Sequence, residues 1–396
     1  MILNLKDREI PDLYLNIGHF LNHFMMLIFA KAAYDAGKSF NLNYDEIIIY
    51  GTLGMIMFGA FSPISSILAN KFGRISLMIV YHFGLGVSAI LASISSSLFE
   101  ITIYLGIMGA FASIYHPVGI AMLLKKEGKI GIRMGINGVW GNMGISFAPI
   151  ITGVLLFYGN WKLSFLFPGC FCILYGFIFL YASFVNQTSK KLEHTETKNK
   201  ESFKKKWQIA LFALGLSTAT GGFIFGTMSF IIPRYFEIYS DNITTNIAMS
   251  GILAGIIFAV AAFAQVLVGY LIDKISPKLV LFWLSLGQIL FIFLSSQFED
   301  YLMFFSMLFA MSFVFGQIPI TDTVLARYIP DEWRSSILSI KFLLNLTIAA
   351  LVLPFTSLML QNGLTLKTVL FITSLSAIGV FIASIILPKQ EKIEIV

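Results

Sequence analysis

Twelve stretches of about 20 mostly apolar residues follow one another along this chain, the length a helix needs to cross a hydrocarbon layer. They run over residues 12–34, 45–69, 75–95, 100–123, 132–158, 161–184, 207–235, 246–272, 279–296, 301–326, 335–360 and 366–387. A soluble domain keeps about a quarter of its residues charged. Here 12% are charged and 57% hydrophobic, so most of the surface has to face lipid. The expected fold class is an all-α integral membrane protein of twelve transmembrane helices in two pseudo-symmetric six-helix bundles. Residues 1–185 form the first bundle, 186–206 a hydrophilic linker and 207–396 the second bundle. The linker, rich in Lys, Glu, Thr and Ser, cannot bury a core.

The net charge of +6 is not spread as a nucleic-acid surface would require, and no nucleic-acid partner is expected. With both termini and the linker on one side, 21 of the 27 Lys and Arg residues gather there. That set is Lys6, Arg8, Lys71, Arg74, Lys125, Lys126, Lys129, Arg133, seven linker lysines, Lys274, Lys278, Arg327, Arg334, Lys389 and Lys392. Lys31, Lys38, Lys162, Arg234 and Lys367 fall on the other side. This bias predicts cytoplasmic termini in a bacterial inner membrane. The mixed-charge head (Lys6, Asp7, Arg8, Glu9) predicts a retained first helix rather than a cleaved signal. Cys170 and Cys172, two apart on one helix, do not face each other and are read as small buried side chains.

The halves repeat. Asn70-Lys71 and Asp273-Lys274 are 203 residues apart, Arg133 and Arg334 are 201 apart, and Pro117 and Pro319 are 202 apart. Such duplication is how many transporters build a midplane site.

Ser66-Ile67-Leu68-Ala69-Asn70-Lys71-Phe72-Gly73-Arg74 resembles the loop motif of the major facilitator superfamily, with Ser66 and Asn70 where the motif has Gly and Asp. Gly269-Tyr270-Leu271-Ile272-Asp273-Lys274 is its echo. The small residue would allow close packing, and the basic residues would anchor the loop. Gly141, Gly144, Pro149 and Gly153 are similar to the helix 5 motif of superfamily antiporters, with Ala148 and Thr152 replacing glycines. Tyr115-His116-Pro117 resembles the fosmidomycin-resistance-like exporters, although Leu105 stands where many proton-coupled drug exporters carry Arg. The resemblance implies a monomeric secondary transporter that alternates access to a central cavity lined by helices 1, 4, 7 and 10. It further implies a proton-coupled cycle, with efflux somewhat favoured over uptake of a nutrient or siderophore.

Ionisable groups inside spans cost roughly 2.5 to 3.5 kcal/mol on insertion scales, so the survivors are candidate sites. His19 and His23, four apart, share a helix face with Asn16 and Asn22 nearby, and His116 on the oppositely running helix 4 reaches a similar depth. Such a group fits an anionic or metal-complexed substrate, a coupling proton, or hydrogen bonding to neighbouring backbone. His82, on a peripheral helix, fits the last of these. Asp322 and Lys341 form a second candidate, with Asn345 and Gln317 beside them, as a fixed ion pair or one broken during transport. Gln265, Asn137 and Asn142 are further hydrogen-bonding candidates, Trp140 reads as packing, and Arg234 with Glu237 as a gate or as side chains snorkelling at the helix end. With no Cys or carboxylate near the histidines in sequence, neither metal nor cofactor is expected. No nucleotide loop or hydrolase set appears, so the chain is not expected to be an enzyme. A lipid-modifying enzyme or a transporter-like sensor remain the rivals. The expected partners are a small polar or amphipathic organic substrate, protons and the lipid bilayer.

Overall fold

The computed structural model describes residues 10–124, 130–185 and 202–389. Lys6, Arg8, Lys125, Lys126, Lys129, Lys392 and the linker lysines at 190, 191, 198 and 200 lie outside them. Among the described residues there is no strand, as hydrocarbon demands: a backbone there satisfies its own N–H and C=O groups only within helices or a closed barrel. Among the described residues, eleven helices are long and apolar enough to cross a membrane, or twelve with one bent pair.

The chain divides into two compact units, the first comprising residues 1–197 and 246–255 and the second residues 198–245 and 256–396. In chain order the helices are α1 (Asp12–Ser39), α2 (Tyr44–Ile47), α3 (Thr52–Ala60), α4 (Ser62–Phe72), α5 (Arg74–Ile94), α6 (Leu98–Ala112), α7 (Ile120–Leu124), α8 (Ile130–Tyr158) and α9 (Trp161–Val185). They continue with α10 (Trp207–Tyr239), α11 (Ile247–Ala262), α12 (Ala264–Lys274), α13 (Pro277–Gln297), α14 (Asp300–Tyr328), α15 (Asp331–Ala350), α16 (Val352–Gln361) and α17 (Leu366–Ile386).

Four spans expected as single helices are broken. Proline explains three of the breaks, because it lacks an N–H and its ring clashes with the carbonyl four residues back. Pro63 stands behind the 48° bend between α3 and α4. Pro117 lies in a π-helical turn, Tyr115–Gly119, between α6 and α7. Pro354 follows the break at Leu351 between α15 and α16. The break at Phe263 between α11 and α12 has no proline, and nothing nearby explains it. Pro149, Pro168, Pro233 and Pro319 sit within unbroken helices.

The lipid-facing surface is plainest on α9. Phe167, Phe171, Leu174, Ile178 and Tyr181 recur every three or four residues and are all exposed. The opposite face buries Phe165, Cys172, Tyr175 and Phe179. An apolar stripe of this length in water would aggregate; in lipid it is solvated. Both cysteines are free, but only Cys172 is buried, and Cys170 turns outward.

Candidate functional site

In the first unit, α1 places Asn16, His19 and His23 at spacings of three and four, along one face. His19 begins about 10 Å along α1, at 1.5 Å per residue. The π-helical turn of Pro117 brings His116 against that face, so the ring-nitrogen donors of His19, His23 and His116 all lie within 4.8 Å of one another. Such turns concentrate at functional sites.

His19 is 7% exposed. Its Nδ1 donates to the backbone carbonyl of Asn137 at 2.7 Å. A carbonyl oxygen only accepts, so Nδ1 carries the proton and Nε2 keeps its lone pair. His23 Nε2 lies 3.1 Å from His19 Nε2 and is therefore the donor in that contact. The ring of His19 stacks on Tyr115 (centroids 4.8 Å apart, 15° between planes) and meets His116 edge-on at 5.3 Å. Phe58 covers His116 from α3 at 5.8 Å.

The surround is tied down in turn. Asn137 Nδ2 donates to Asn16 Oδ1 at 2.9 Å and to the Tyr115 hydroxyl at 2.8 Å, and that hydroxyl donates to the Leu15 carbonyl at 2.8 Å. The α8 glycines make this approach possible. A Cβ on Gly141 would sit 2.6 Å from His19 Cε1, and one on Gly144 would sit 2.2 Å from the Phe20 carbonyl oxygen. Further along the same motif, a Cβ on Gly251 would meet the Pro149 carbonyl oxygen at 2.2 Å, and one on Gly153 the Ile247 oxygen at 3.1 Å. His82 stands apart from the group: it is fully buried among Tyr81, Tyr175 and Phe179, with Nδ1 donating to Met78 at 2.7 Å. The sequence places His116 at the depth of His19 and His23 and offers no Cys or carboxylate beside them; the fold brings the three histidines close enough for their ring nitrogens to share one ion.

In the second unit, Lys341 of α15 pairs with the Asp322 carboxylate of α14 and donates to Thr321 Oγ1 at 2.8 Å. The two side chains are 15% and 48% exposed, so the carboxylate is the accessible partner. Gln317 is otherwise engaged: Nε2 donates to Ser217 Oγ at 2.8 Å, and Oε1 accepts from Gln288 at 2.8 Å, joining α10, α13 and α14. Asn345 packs on Gly222, where a Cβ would lie 2.7 Å from its Oδ1. Thr321 and Gly222 were not singled out from sequence.

The loop residues are placed unevenly. Ser66, Asn70 and Lys71 are exposed. Gly73 joins α4 to α5 at φ 90°, ψ 144°, a backbone region that is essentially glycine's own. Arg74 Nη1 donates to the Ala121 carbonyl at 3.3 Å, tying the loop to α7. In the echo, Lys274 donates to the Tyr270 hydroxyl and Asp273 lies in α12. Gly269 corrects an expectation: a Cβ there would meet no described atom within 4 Å, so its smallness serves no close helix contact. One more correction concerns a charge. Arg234 does not snorkel but pairs with Glu237 at 2.7 Å, with the side chains 15% and 9% exposed. Lys31 is buried within α1 and donates to Ser250 Oγ at 2.7 Å.

A sequence profile of the Major Facilitator Superfamily matches residues 15–354. This chain belongs to that superfamily. It is a multi-pass membrane transporter rather than an enzyme. The fold is similar to a bacterial homolog of the human lysosomal transporter Spinster in its inward-facing, unoccupied conformation, with a TM-score of 0.76 and 15% identity over 95% of this chain and 96% of that one. It is also similar to a D-xylose-proton symporter, with a TM-score of 0.75 and 14% identity over 95% and 96%. A Chlamydia trachomatis protein described as "Probable hexose phosphate transport protein" is 24% identical over 144 residues, 35% of this chain. The match spans 32% of that relative's length.

Proposed function

We propose that this protein is a secondary active transporter of a small polar or amphipathic organic solute, driven by the proton gradient across a bacterial inner membrane. It works as a monomer by alternating access, with two six-helix halves joined by residues 186–206 and both termini cytoplasmic. The observation that carries this reading is the group of His19, His23, His116, Asn16 and Asn137 at membrane depth, each a polar side chain that hydrocarbon disfavours. Here the group forms the solute site. A neutral imidazole donates or accepts hydrogen bonds without a permanent charge, which suits a site that must release what it binds.

The coupling proton is assigned to Asp322. Lys341 faces it from α15, Arg327 lies further along α14 and donates to the Ile272 carbonyl, Lys274 of α12 donates to Tyr270, and Lys278 of α13 donates to the Ile385 and Leu387 carbonyls. The charged groups of α10, Arg234 and Glu237, pair with each other. Protonating Asp322 would release Lys341 and loosen α14 from α15, the kind of breakable pair a transport cycle uses.

Export is the preferred direction, supported by the helix 5 motif and by Tyr115-His116-Pro117. Uptake of an anionic nutrient is the second reading, favoured by the hexose phosphate name of the Chlamydia relative. Proteoliposomes with an imposed pH gradient test the proposal. Solute flux that follows the gradient supports it, and its sign gives the direction. Flux indifferent to the gradient removes the coupling, and absence of flux for every solute to which a deletion strain responds removes the transport role.

A further inference from the structure

We infer that His19, His23 and His116 coordinate a late first-row divalent cation, leaving one coordination position for an anionic co-ligand. This deepens the solute-site reading above by naming a metal–anion complex as the cargo, but the binding step stands or falls by itself.

Three observations carry it. First, a tetrahedral ion with metal–nitrogen bonds of about 2.1 Å spaces its donors about 3.4 Å apart. His19 and His23 already present Nε2 atoms 3.1 Å apart, and the third donor lies within 4.8 Å of both. Closing the remainder is a matter of side-chain rotation. Second, His19 has the outer support characteristic of a metal ligand. Its Nδ1–H is held by the Asn137 carbonyl at 2.7 Å, which fixes the tautomer and aims the Nε2 lone pair inward. Asn137 is itself fixed by Asn16 and Tyr115. When the ion enters, His23 moves its proton from Nε2 to Nδ1, so both Nε2 lone pairs turn to the metal and no charge is lost from the protein.

Third, the donor set defines the cargo. Imidazole nitrogens select zinc, copper, nickel or cobalt over magnesium or calcium. Among the described residues no Asp, Glu or Cys joins the group. Three neutral ligands leave the ion's two positive charges uncompensated within a membrane interior, where unpaired charge is costly. An anion on the fourth position offsets that charge, so a complex in which a carboxylate or phosphate holds the metal through one oxygen fits better than the naked ion.

The test uses the full chain, purified without a polyhistidine tag and titrated with cobalt chloride. One cobalt per chain, with the visible bands of a tetrahedral site, is expected, together with displacement by zinc and a band shift when citrate takes the open position. His23→Gln and His116→Gln should each weaken binding by about tenfold or more. His82→Gln, outside the group, should leave the titration unchanged, and monodisperse elution of every variant shows that the fold survives. Absence of a tetrahedral spectrum in the wild-type chain, or undiminished binding in both triad variants, overturns the assignment. Cobalt binding without flux would instead refute the transport reading while leaving the metal site standing.

Discussion

His19 gives its Nδ1 proton to the backbone carbonyl of Asn137, 2.7 Å away, and that single bond decides which nitrogen it shows to His23 and His116. The carbonyl is held in place by its own side chain, since Asn137 Nδ2 bridges Asn16 and Tyr115. Asn137→Ala keeps the backbone bond but strips a donor from two buried acceptors, at a cost of about 1–3 kcal/mol. Thermal unfolding of the detergent-purified variant should show a clearly lowered midpoint. A midpoint equal to wild type would mean that this network does not hold the histidines.

Gly141 and Gly144 lie on one α8 face but have separable jobs. Gly141 makes room for the His19 ring, whereas Gly144 makes room for the α1 backbone at Phe20. Side chains move more readily than backbone, so Gly141→Ala should still fold but bind cobalt and solute more weakly. Gly144→Ala forces α1 and α8 apart, an overpacking cost of about 1–3 kcal/mol, and should lower the yield of monodisperse protein. Equal effects of the two substitutions on fold and binding would defeat this division of labour.

The spans and the helix 5 contact were legible in the sequence because hydrocarbon thickness and small-residue spacing act locally. The pairing of His19 with His23 was equally legible from a four-residue interval. What joins them to His116 is a tertiary fact: only the π-helical turn at Pro117 sets the third ring against α1, and no local pattern encodes that distance. Thr321 escaped notice because a hydroxyl in a membrane helix ordinarily returns to its own backbone, as Thr321 also does at the Ile318 carbonyl. Gln317 illustrates the opposite case. Its polarity marked it as a solute contact, yet its amide joins Ser217 to Gln288. Sequence shows that a buried amide needs partners without showing whether they are protein or cargo.

Lys341 and Asp322 differ in exposure, 15% against 48%, which makes their neutralised variants unequal. Asp322→Asn removes the assigned proton carrier and leaves a largely buried ammonium with Thr321 as its partner. Gradient-driven accumulation should fall to the level of an uncoupled leak, while solute exchange at equal pH persists. Lys341→Met leaves the carboxylate in reach of water and should preserve more stability than Asp322→Asn. Accumulation by Asp322→Asn at the wild-type level would exclude this carboxylate as the coupling site.

Gly73 is the clearest point at which backbone conformation, rather than side-chain chemistry, limits the loop motif. At φ 90° and ψ 144° a Cβ is strained whatever space surrounds it, and such strain costs of order 1–3 kcal/mol. The neighbouring Arg74 reaches the Ala121 carbonyl only because the chain reverses at this point, so relaxing Gly73 also displaces the tie to α7. Gly73→Ala should therefore lower both the unfolding midpoint and the transport rate, whereas Arg74→Gln should slow transport with a smaller loss of stability. Comparing the two in one flux and melting series separates conformation from charge. If Gly73→Ala melts and transports like wild type, the positive φ is not required, and the motif acts through its basic residues alone.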